Sequence, residues 1–268
     1  MIQNVVKRNN VTVHGEGTQV MLMAHGYGCD QNMWRFITPA FRSKYKIVLF
    51  DHVGSGKSDI SAYDYKKYAS LQGYADDIIE ICESLNLKNV ILMGHSVASM
   101  MGLLAANKAP HLFDALIMIS PSPRYINDET YHGGFEEADI HELLESLDSN
   151  YLGWSSAITP VIMGNPDKPE LSEELANSFC QNNPEIAKHF ANVTFLGDNR
   201  HDLSKLTTRT LILQCASDVI APEVVGKYVN EQLQNSTIVF MEATGHCPHM
   251  SAPKETVELV TKFLDDEI

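Results

Sequence analysis

The sequence predicts an α/β fold, in which a mostly parallel sheet carries helices on both faces. Two observations lead to this prediction. Short apolar runs alternate with amphipathic segments along most of the 268-residue chain, and this alternation is typical of strands joined by crossover helices. The alternation breaks once, between Ser120 and Thr210, where the apolar residues follow only a helical spacing. We therefore expect one helical insertion in an otherwise regular core.

The predicted strands are short apolar runs bounded by polar residues or glycine. They lie near 11–14, 20–24, 46–50, 90–94, 115–119, 210–215 and 237–241. The predicted core helices carry apolar residues at a spacing close to one helical turn. They lie near 70–86, 96–108, 222–233 and 253–266. Strands that are apolar throughout are expected in a sheet that is covered on both faces.

The interruption contains four apolar stripes, each of which predicts one helix. The stripes comprise Ile140, Leu143, Leu144 and Leu147; Trp154, Ile158 and Val161; Leu171, Leu175 and Phe179; and Ile186, Phe190 and Val193. Four helices at this place are expected to form a cap over the functional site. The predicted organisation is a first part of the core over 1–121, the cap over 122–200 and a second part of the core over 201–268.

Composition limits the classes of partner. The formal net charge is −14, which makes nucleic acids and anionic membranes poor partners. No apolar run reaches the length of a membrane span, and the first residues lack the apolar region of a signal peptide. The five cysteines are odd in number and scattered, which favours reduced thiols and a cytoplasmic location.

A serine stands where one predicted strand meets the next helix. The segment 94–98, Gly-His-Ser-Val-Ala, directly follows an apolar run and precedes a helical segment. This is the strand–turn–helix pattern that exposes a nucleophilic serine, with small residues on both sides because strand and helix pack closely. Ala98 replaces the glycine that is usual at the fifth position, which weakens the match slightly. Ser96 is therefore the candidate nucleophile.

A nucleophilic serine needs a base and a carboxylate that orients the base. Both are expected on loops after later strands, in the order serine, carboxylate, histidine. Asp218 follows the sixth predicted strand and His246 follows the seventh, which predicts a triad of Ser96, Asp218 and His246. An oxyanion also requires hydrogen-bond donors, and the backbone N–H groups of Val97 and Tyr27 are the candidates.

Several segments resemble one family of proteins; they are 25–31, 50–59, 94–97, 120–125, 133–136 and 245–250. The chain resembles the α/β-hydrolases. Within them it is similar to the RsbQ-type regulatory hydrolases of bacilli, which are related to the plant strigolactone and karrikin receptors. The resemblance implies an α/β-hydrolase fold with a four-helix cap. It also implies Ser96, Asp218 and His246 as the triad, and the amides of Tyr27 and Val97 as the oxyanion hole.

The predicted activity is hydrolysis of a small apolar ester or lactone, without a metal or an organic cofactor. His95, Phe135, Trp154 and Phe195 are predicted to line the substrate pocket beneath the cap. The resemblance adds a regulatory role in bacterial stress signalling, upstream of a sigma factor and through a partner phosphatase with a sensory domain. The alternative is a ligand-sensing signal protein in which slow or vestigial hydrolysis only resets the sensor.

Two motifs also suggest other chemistry. The segment 54–58 resembles the end of a phosphate-binding loop, but Asp51 stands where the full motif has glycine, so a loop that shapes the cleft is favoured. His246, Cys247 and His249 are close in sequence, as metal ligands often are. No second cluster with metal-ligand spacing accompanies them, so a metal site is disfavoured.

The cap segment holds most of the excess negative charge. Between 122 and 200 there are 14 Asp or Glu residues against 4 Lys or Arg residues, a difference of −10. One interpretation is a solvated outer face of amphipathic helices. The other is an acidic docking surface for a partner protein, with Glu136 and Glu137 among its residues.

Overall fold

The computed structural model describes residues 5–266, and within that range seven strands form one sheet. The strands are β1 (Thr12–His14), β2 (Gln19–Ala24), β3 (Tyr45–Leu49), β4 (Val90–His95), β5 (Phe113–Ile119), β6 (Arg209–Ser217) and β7 (Ser236–Thr244). Their order across the sheet is β1-β3-β2-β4-β5-β6-β7. β1 pairs antiparallel with β3, and every other neighbouring pair is parallel. The predicted mostly parallel sheet is confirmed.

Helices cover both faces of this sheet. The α-helices within residues 5–266 are α1 (Val5–Arg8), α2 (Thr38–Phe41), α3 (Leu71–Ser84), α4 (Val97–Lys108), α5 (Glu137–Ser149), α6 (Tyr151–Met163), α7 (Pro169–Gln181), α8 (Pro184–Phe195), α9 (Arg200–Leu203), α10 (Glu223–Gln232), α11 (Pro248–Ser251) and α12 (Pro253–Leu264). Apolar residues of α3 and α4 pack on one face, and those of α12 pack on the other. Within residues 5–266, no helix combines the length and the apolar character needed to cross a membrane.

Strand β2 shows why the strands are apolar throughout. Met21 and Met23 belong to the core cluster on one side of the sheet, whereas Val20 and Leu22 belong to the cluster on the other side. Successive side chains of a strand point to opposite faces. Since helices cover both faces, every position in the middle of the strand is buried and apolar.

Each predicted strand and core helix is present, and the bounds differ by a few residues. The largest difference is at the end of β7, which was expected near 241 and ends at Thr244. A register shift beside Cys215 allows Ser217 of β6 to pair with Thr244 beyond the apolar runs. These extra residues carry both strands to the loops that hold Asp218 and His246.

Helices α5 to α8 lie between β5 and β6 and form the predicted four-helix cap. Most of their predicted apolar stripes are buried or half-buried. Val161 is the exception, since it is 51% exposed. Val161 nevertheless lines a cavity under the cap together with Trp154 and Ile158, so the three residues share one face of α6. All four helices fall within 122–200, and the boundaries of the three-part division remain a prediction.

The segment that leaves the core for the cap contacts the segment that returns from the cap to the core. The Arg124 guanidinium is 3.0 Å from the Asp198 carboxylate. The N–H of Asn199 donates to the carbonyl of Pro123 at 2.9 Å. These two contacts close the base of the cap, so that the four helices between them are held at both ends.

The segment 54–58 forms a loop around the buried carboxylate of Asp51. This carboxylate accepts the backbone N–H groups of Gln31 and Lys57, both at 2.9 Å, and the side-chain N–H of Asn10 at 2.7 Å. A phosphate-binding loop directs its free N–H groups at an anion. Here an internal carboxylate occupies that role, which favours the interpretation as a structural loop.

Candidate active site

Ser96 lies between β4 and α4 in a backbone conformation that few residues other than glycine adopt. Its φ is 56° and its ψ is −126°, and such a conformation persists only where the surroundings hold it. The Ser96 N–H donates to the carbonyl of Ile119 on β5 at 2.8 Å. A Cβ at Gly94 would lie 2.6 Å from the carbonyl oxygen of Ala98, so a glycine is needed where strand and helix cross. Ala98 itself is fully buried, and its methyl group is accommodated.

The three residues of the predicted triad are joined by two short hydrogen bonds. The Ser96 Oγ lies 2.7 Å from Nε2 of His246. The other ring nitrogen, Nδ1, lies 2.7 Å from Oδ2 of Asp218. All three side chains are buried. The arrangement is consistent with a base that accepts the serine proton while the carboxylate fixes the tautomer of the ring.

Asp218 is held in its charged form by its neighbours. Burial raises the pKa of its carboxyl group, but the His246 ring and the hydrogen bonds lower it further than burial raises it. The second carboxylate oxygen, Oδ1, accepts the backbone N–H groups of Ile220 and Ala221 at 2.9 and 3.0 Å. The net effect is a lowered pKa, so that Asp218 remains an acceptor towards His246.

One predicted oxyanion donor belongs to the residue after Ser96, and the other belongs to Tyr27, which lines the same cavity as Ser96. Val97 is the first residue of α4, and N–H groups in the first turn of a helix have no partner within the helix. Tyr27 follows the end of β2, in the loop that faces the cap. Its side chain points into the cap, where the hydroxyl donates to the carbonyl of Ala187 at 3.0 Å. The role of either amide as an oxyanion donor remains a prediction.

A cavity of about 130 Å³ lies between the sheet and the cap, with Ser96 in its wall. The four residues predicted for the pocket, His95, Phe135, Trp154 and Phe195, all line it. Most of the other lining side chains are aromatic or aliphatic. The structure therefore brings the predicted pocket residues and the triad together, and it joins them by an apolar space.

Two lining residues that the sequence analysis did not single out carry hydroxyl groups. Tyr125 is 2% exposed and Thr194 is 5% exposed. Neither hydroxyl has a hydrogen-bond partner within residues 5–266. Burial raises the pKa of Tyr125 to about 12, and the neighbouring Ser96 hydroxyl offsets part of this effect. Tyr125 belongs to a segment used for the family resemblance, but nothing in its spacing indicated that it would face Ser96.

Four other buried histidines surround the site and are kept neutral. Burial lowers the pKa values of His25, His52 and His249, and it lowers that of His95 to about 3. Nε2 of His95 lies 2.8 Å from the carbonyl oxygen of His246. Since the carbonyl can only accept, Nε2 of His95 is the donor in this bond. His95 therefore supports the backbone of His246.

The five cysteines are all free, and four of them are buried. Cys29 and Cys247 line the cavity, and burial raises the pKa of each thiol well above its ordinary value. Protonated thiols of this kind are weak nucleophiles. The exposed one is Cys180, on cap helix α7. Within residues 5–266, no group of three or more His, Cys, Asp or Glu side chains is arranged to hold a metal ion.

This fold and site can be compared with known proteins. A family model described as the alpha/beta hydrolase family matches residues 21–259. The chain belongs to the α/β-hydrolase family. The strand order, the sharp turn at Ser96 and the cap between β5 and β6 all agree with that membership.

Individual relatives of this α/β-hydrolase cover nearly its whole length. A karrikin insensitive 2 receptor of Petunia hybrida is 34% identical over 265 residues, which is 98% of each chain. A strigolactone esterase of Arabidopsis thaliana is 35% identical over 262 residues, covering 97% of this chain and 98% of its own. Among solved structures, a hydrolase from Oleispira antarctica is 42% identical with a TM-score of 0.96, covering 98% of this chain and 96% of its own. The strigolactone esterase among these relatives supports a hydrolase that acts on esters.

Proposed function

We propose that the protein is a serine hydrolase that cleaves small, apolar esters or lactones. The observation that carries the proposal is the continuous chain of hydrogen bonds from Ser96 through His246 to Asp218. Ser96, at one end of this chain, lies in the wall of an apolar cavity. Perturbed, buried titratable groups next to a cavity are typical of catalytic sites. The esterases among its relatives support the same class of reaction.

In the proposed reaction, Ser96 Oγ attacks the substrate carbonyl while Nε2 of His246 takes the hydroxyl proton. The N–H groups of Tyr27 and Val97 stabilise the oxyanion that forms. Collapse of this intermediate breaks the ester bond, and the departing alkoxide takes the proton from His246. Water, activated by the same ring, then releases the acyl group and restores Ser96. In a lactone the alkoxide stays attached to the acyl group.

The cavity limits the size of the substrate. An engineered cavity of about 150 Å³ in another protein accommodates benzene, and the space here is similar, at about 130 Å³. The lining is apolar except for Ser96, the two histidines His95 and His246, and a few other hydroxyl and thiol groups. A compact substrate with a single reactive carbonyl is the best match.

Replacement of the nucleophile tests this proposal. The Ser96→Ala variant should lose hydrolysis of short p-nitrophenyl esters by about 10⁴-fold or more, because one triad member is removed. The fold should persist, since the change removes only one oxygen atom from a buried side chain. Steady-state rates and thermal unfolding are measured on the same preparation. Turnover by a folded Ser96→Ala protein that matched the unmodified enzyme would remove Ser96 from the mechanism.

A second candidate is a ligand-sensing signal protein with slow or vestigial hydrolysis. The likeness to a protein named as a karrikin receptor favours it. Turnover number separates the two candidates, because a metabolic esterase completes many cycles in the time that a sensor completes one. A single burst of product, followed by a very slow steady state, would support the sensor.

The regulatory role is a finer part of the proposal. On the resemblance to RsbQ-type hydrolases, the protein would act in bacterial stress signalling, upstream of a sigma factor, through a phosphatase with a sensory domain. The free thiols are in keeping with a reducing, cytoplasmic location. Co-purification of the protein with such a phosphatase tests this role, and a mixture that elutes as two separate proteins at every concentration would oppose it.

A further inference from the structure

The loop that carries His246 is held by hydrogen bonds on three sides. The N–H of Gly245 donates to the carbonyl of Ser217 at 2.7 Å. The carbonyl of His246 accepts from Nε2 of His95 at 2.8 Å. These two partners directly precede the other two triad members in sequence. The third bond runs from the His246 N–H to the carbonyl of Ile162 at 2.9 Å, and Ile162 belongs to the cap.

The cap side of this contact is the end of helix α6. Ile162 lies in the last turn, where carbonyl groups have no partner within the helix. Gly164 and Asn165 then take left-handed conformations, with φ of 60° and 52°. The side-chain nitrogen of Asn165 donates to the carbonyl of Met163 and to the carbonyl of Thr244, both at 2.9 Å. One amide group therefore joins the cap to the residue that opens the histidine loop.

The two segments also approach each other through their backbones. Gly245 has a φ of 79°, and a Cβ at this position would collide with the carbonyl of Met163. No side chain separates α6 from the loop at this point. With the bonds from His246 and Asn165, the close approach fixes the loop against the cap on one side while the sheet holds it on the other.

We infer that Asn165 is a positioning residue, which holds the loop 244–246 against the end of α6 so that His246 reaches Ser96. The inference rests on the proposed function, because it concerns the placement of the proposed base. A misplacement of about 1 Å in an active site can reduce a rate by about 10²-fold. Displacement of the cap at α6 thus moves the base away from the nucleophile, and the cap and the hydrolytic step are mechanically coupled.

Two substitutions remove the bridging amide and keep the backbone conformation. Asn165→Asp has the same shape but presents a carboxylate that cannot donate to either carbonyl. Asn165→Gly has no side chain and tolerates the left-handed φ. For both variants kcat for a short p-nitrophenyl ester should fall by about tenfold, with KM within about twofold, because the base is displaced and the pocket is not.

The matched control is Tyr63→Phe. The Tyr63 hydroxyl lies 2.8 Å from Nδ1 of His189 on cap helix α8, so it contributes a hydrogen bond between core and cap far from the histidine loop in sequence. This variant should keep kcat within about twofold of the unmodified protein. Thermal unfolding of all variants shows whether the cap is still folded.

A spectroscopic signal reports the position of the ring without turnover. The proton on Nδ1 of His246, in its short bond to Asp218, should give a downfield NMR resonance that is absent from His246→Ala. We expect this resonance to broaden or disappear in both Asn165 variants and to persist in Tyr63→Phe. A protein in which Asn165 only stabilises the fold would keep it.

Three outcomes overturn the inference. They are an unchanged kcat with the resonance retained, a rise in KM alone, and an equal loss of kcat in Tyr63→Phe. The proposed function fails separately, when Ser96→Ala and His246→Ala leave hydrolysis unaffected. Loss of activity in those two variants, together with normal Asn165 variants, would contradict only the positioning role.

Discussion

The floor of the cavity belongs to the sheet core and its roof to the cap, and the two surfaces differ in chemistry and in support. The floor supplies the polar groups, with Ser96, Asp218 and His246 each placed at the end of a parallel strand. The roof supplies apolar surface, from side chains such as Trp154 and Phe195 on the cap helices. Strand pairing fixes the residues that directly precede Ser96, Asp218 and the histidine loop, whereas the roof is joined to the core by separate contacts.

This difference indicates how the two regions respond to change. In the floor, a shift of one strand would move a reacting atom, and the sheet prevents such shifts through many hydrogen bonds. In the roof, one side chain can be replaced by another of similar volume with a modest effect on stability. We therefore expect substitutions in the floor to act on the rate of the chemical step, and substitutions of the roof side chains that line the cavity to act on substrate binding.

The largest effect is expected from Asp218→Asn, in the floor. The amide cannot hold His246 in the tautomer that accepts the serine proton, and kcat should fall by about 10⁴-fold. In the unmodified protein the lowered pKa of Asp218 keeps the carboxylate charged as the pH falls. Because only an unprotonated base can accept the serine proton, the activity should rise with pH. A pH–rate profile of both proteins checks this, and a variant with normal activity would remove Asp218 from the triad.

A smaller effect is expected from Phe135→Ala, on the cap side of the cavity. Loss of this ring removes apolar contact with the substrate, and KM should rise about tenfold while kcat changes little. Phe240→Ala is the matched control, because Phe240 is an exposed phenylalanine on β7. Steady-state kinetics with a series of acyl chain lengths measure both constants. A fall in kcat without any rise in KM would contradict the division between floor and roof.

The smallest effects are expected on the outer face of the cap. Glu136 accepts a hydrogen bond from the Asn127 side chain at 2.7 Å, and Asn127 accepts the N–H groups of Gly133 and Gly134. Glu136→Lys should lower the free energy of unfolding by about 1 kcal/mol, because this bond is lost. Glu137→Lys changes an exposed side chain and should be neutral within about 0.5 kcal/mol. Chemical denaturation of both variants gives the comparison.

Glu137→Lys is also the cleaner test of the acidic docking surface. It leaves the Asn127 contact intact, so a change in binding cannot be attributed to the turn before α5. An acidic surface that steers a basic partner should bind more weakly after charge reversal, and the difference should shrink as salt is added. Phosphatase binding that is unchanged at both low and high salt would favour a solvated outer face.

Much of the fold and of the floor could be predicted from the sequence, because both depend on local patterns. A strand is visible as an apolar run, and Ser96, Asp218 and His246 each follow such a run within a few residues. Tyr125 and Asn165 were not predicted, because their contacts join segments that are distant along the chain. The bond from Asn165 to Thr244 spans 79 positions, and no periodicity in either segment indicates that they meet.

Helix α7 provides a natural attachment point for a reporter group. Cys180 is exposed, whereas the other four cysteines of the chain are buried. Burial also raises the pKa of Cys82 and of Cys215 to about 12, and thiols that stay protonated react slowly with maleimides. A dye added to the unmodified protein should therefore label the roof at a single place. Fluorescence from that dye would follow the cap during catalysis, in an enzyme that needs no engineered cysteine.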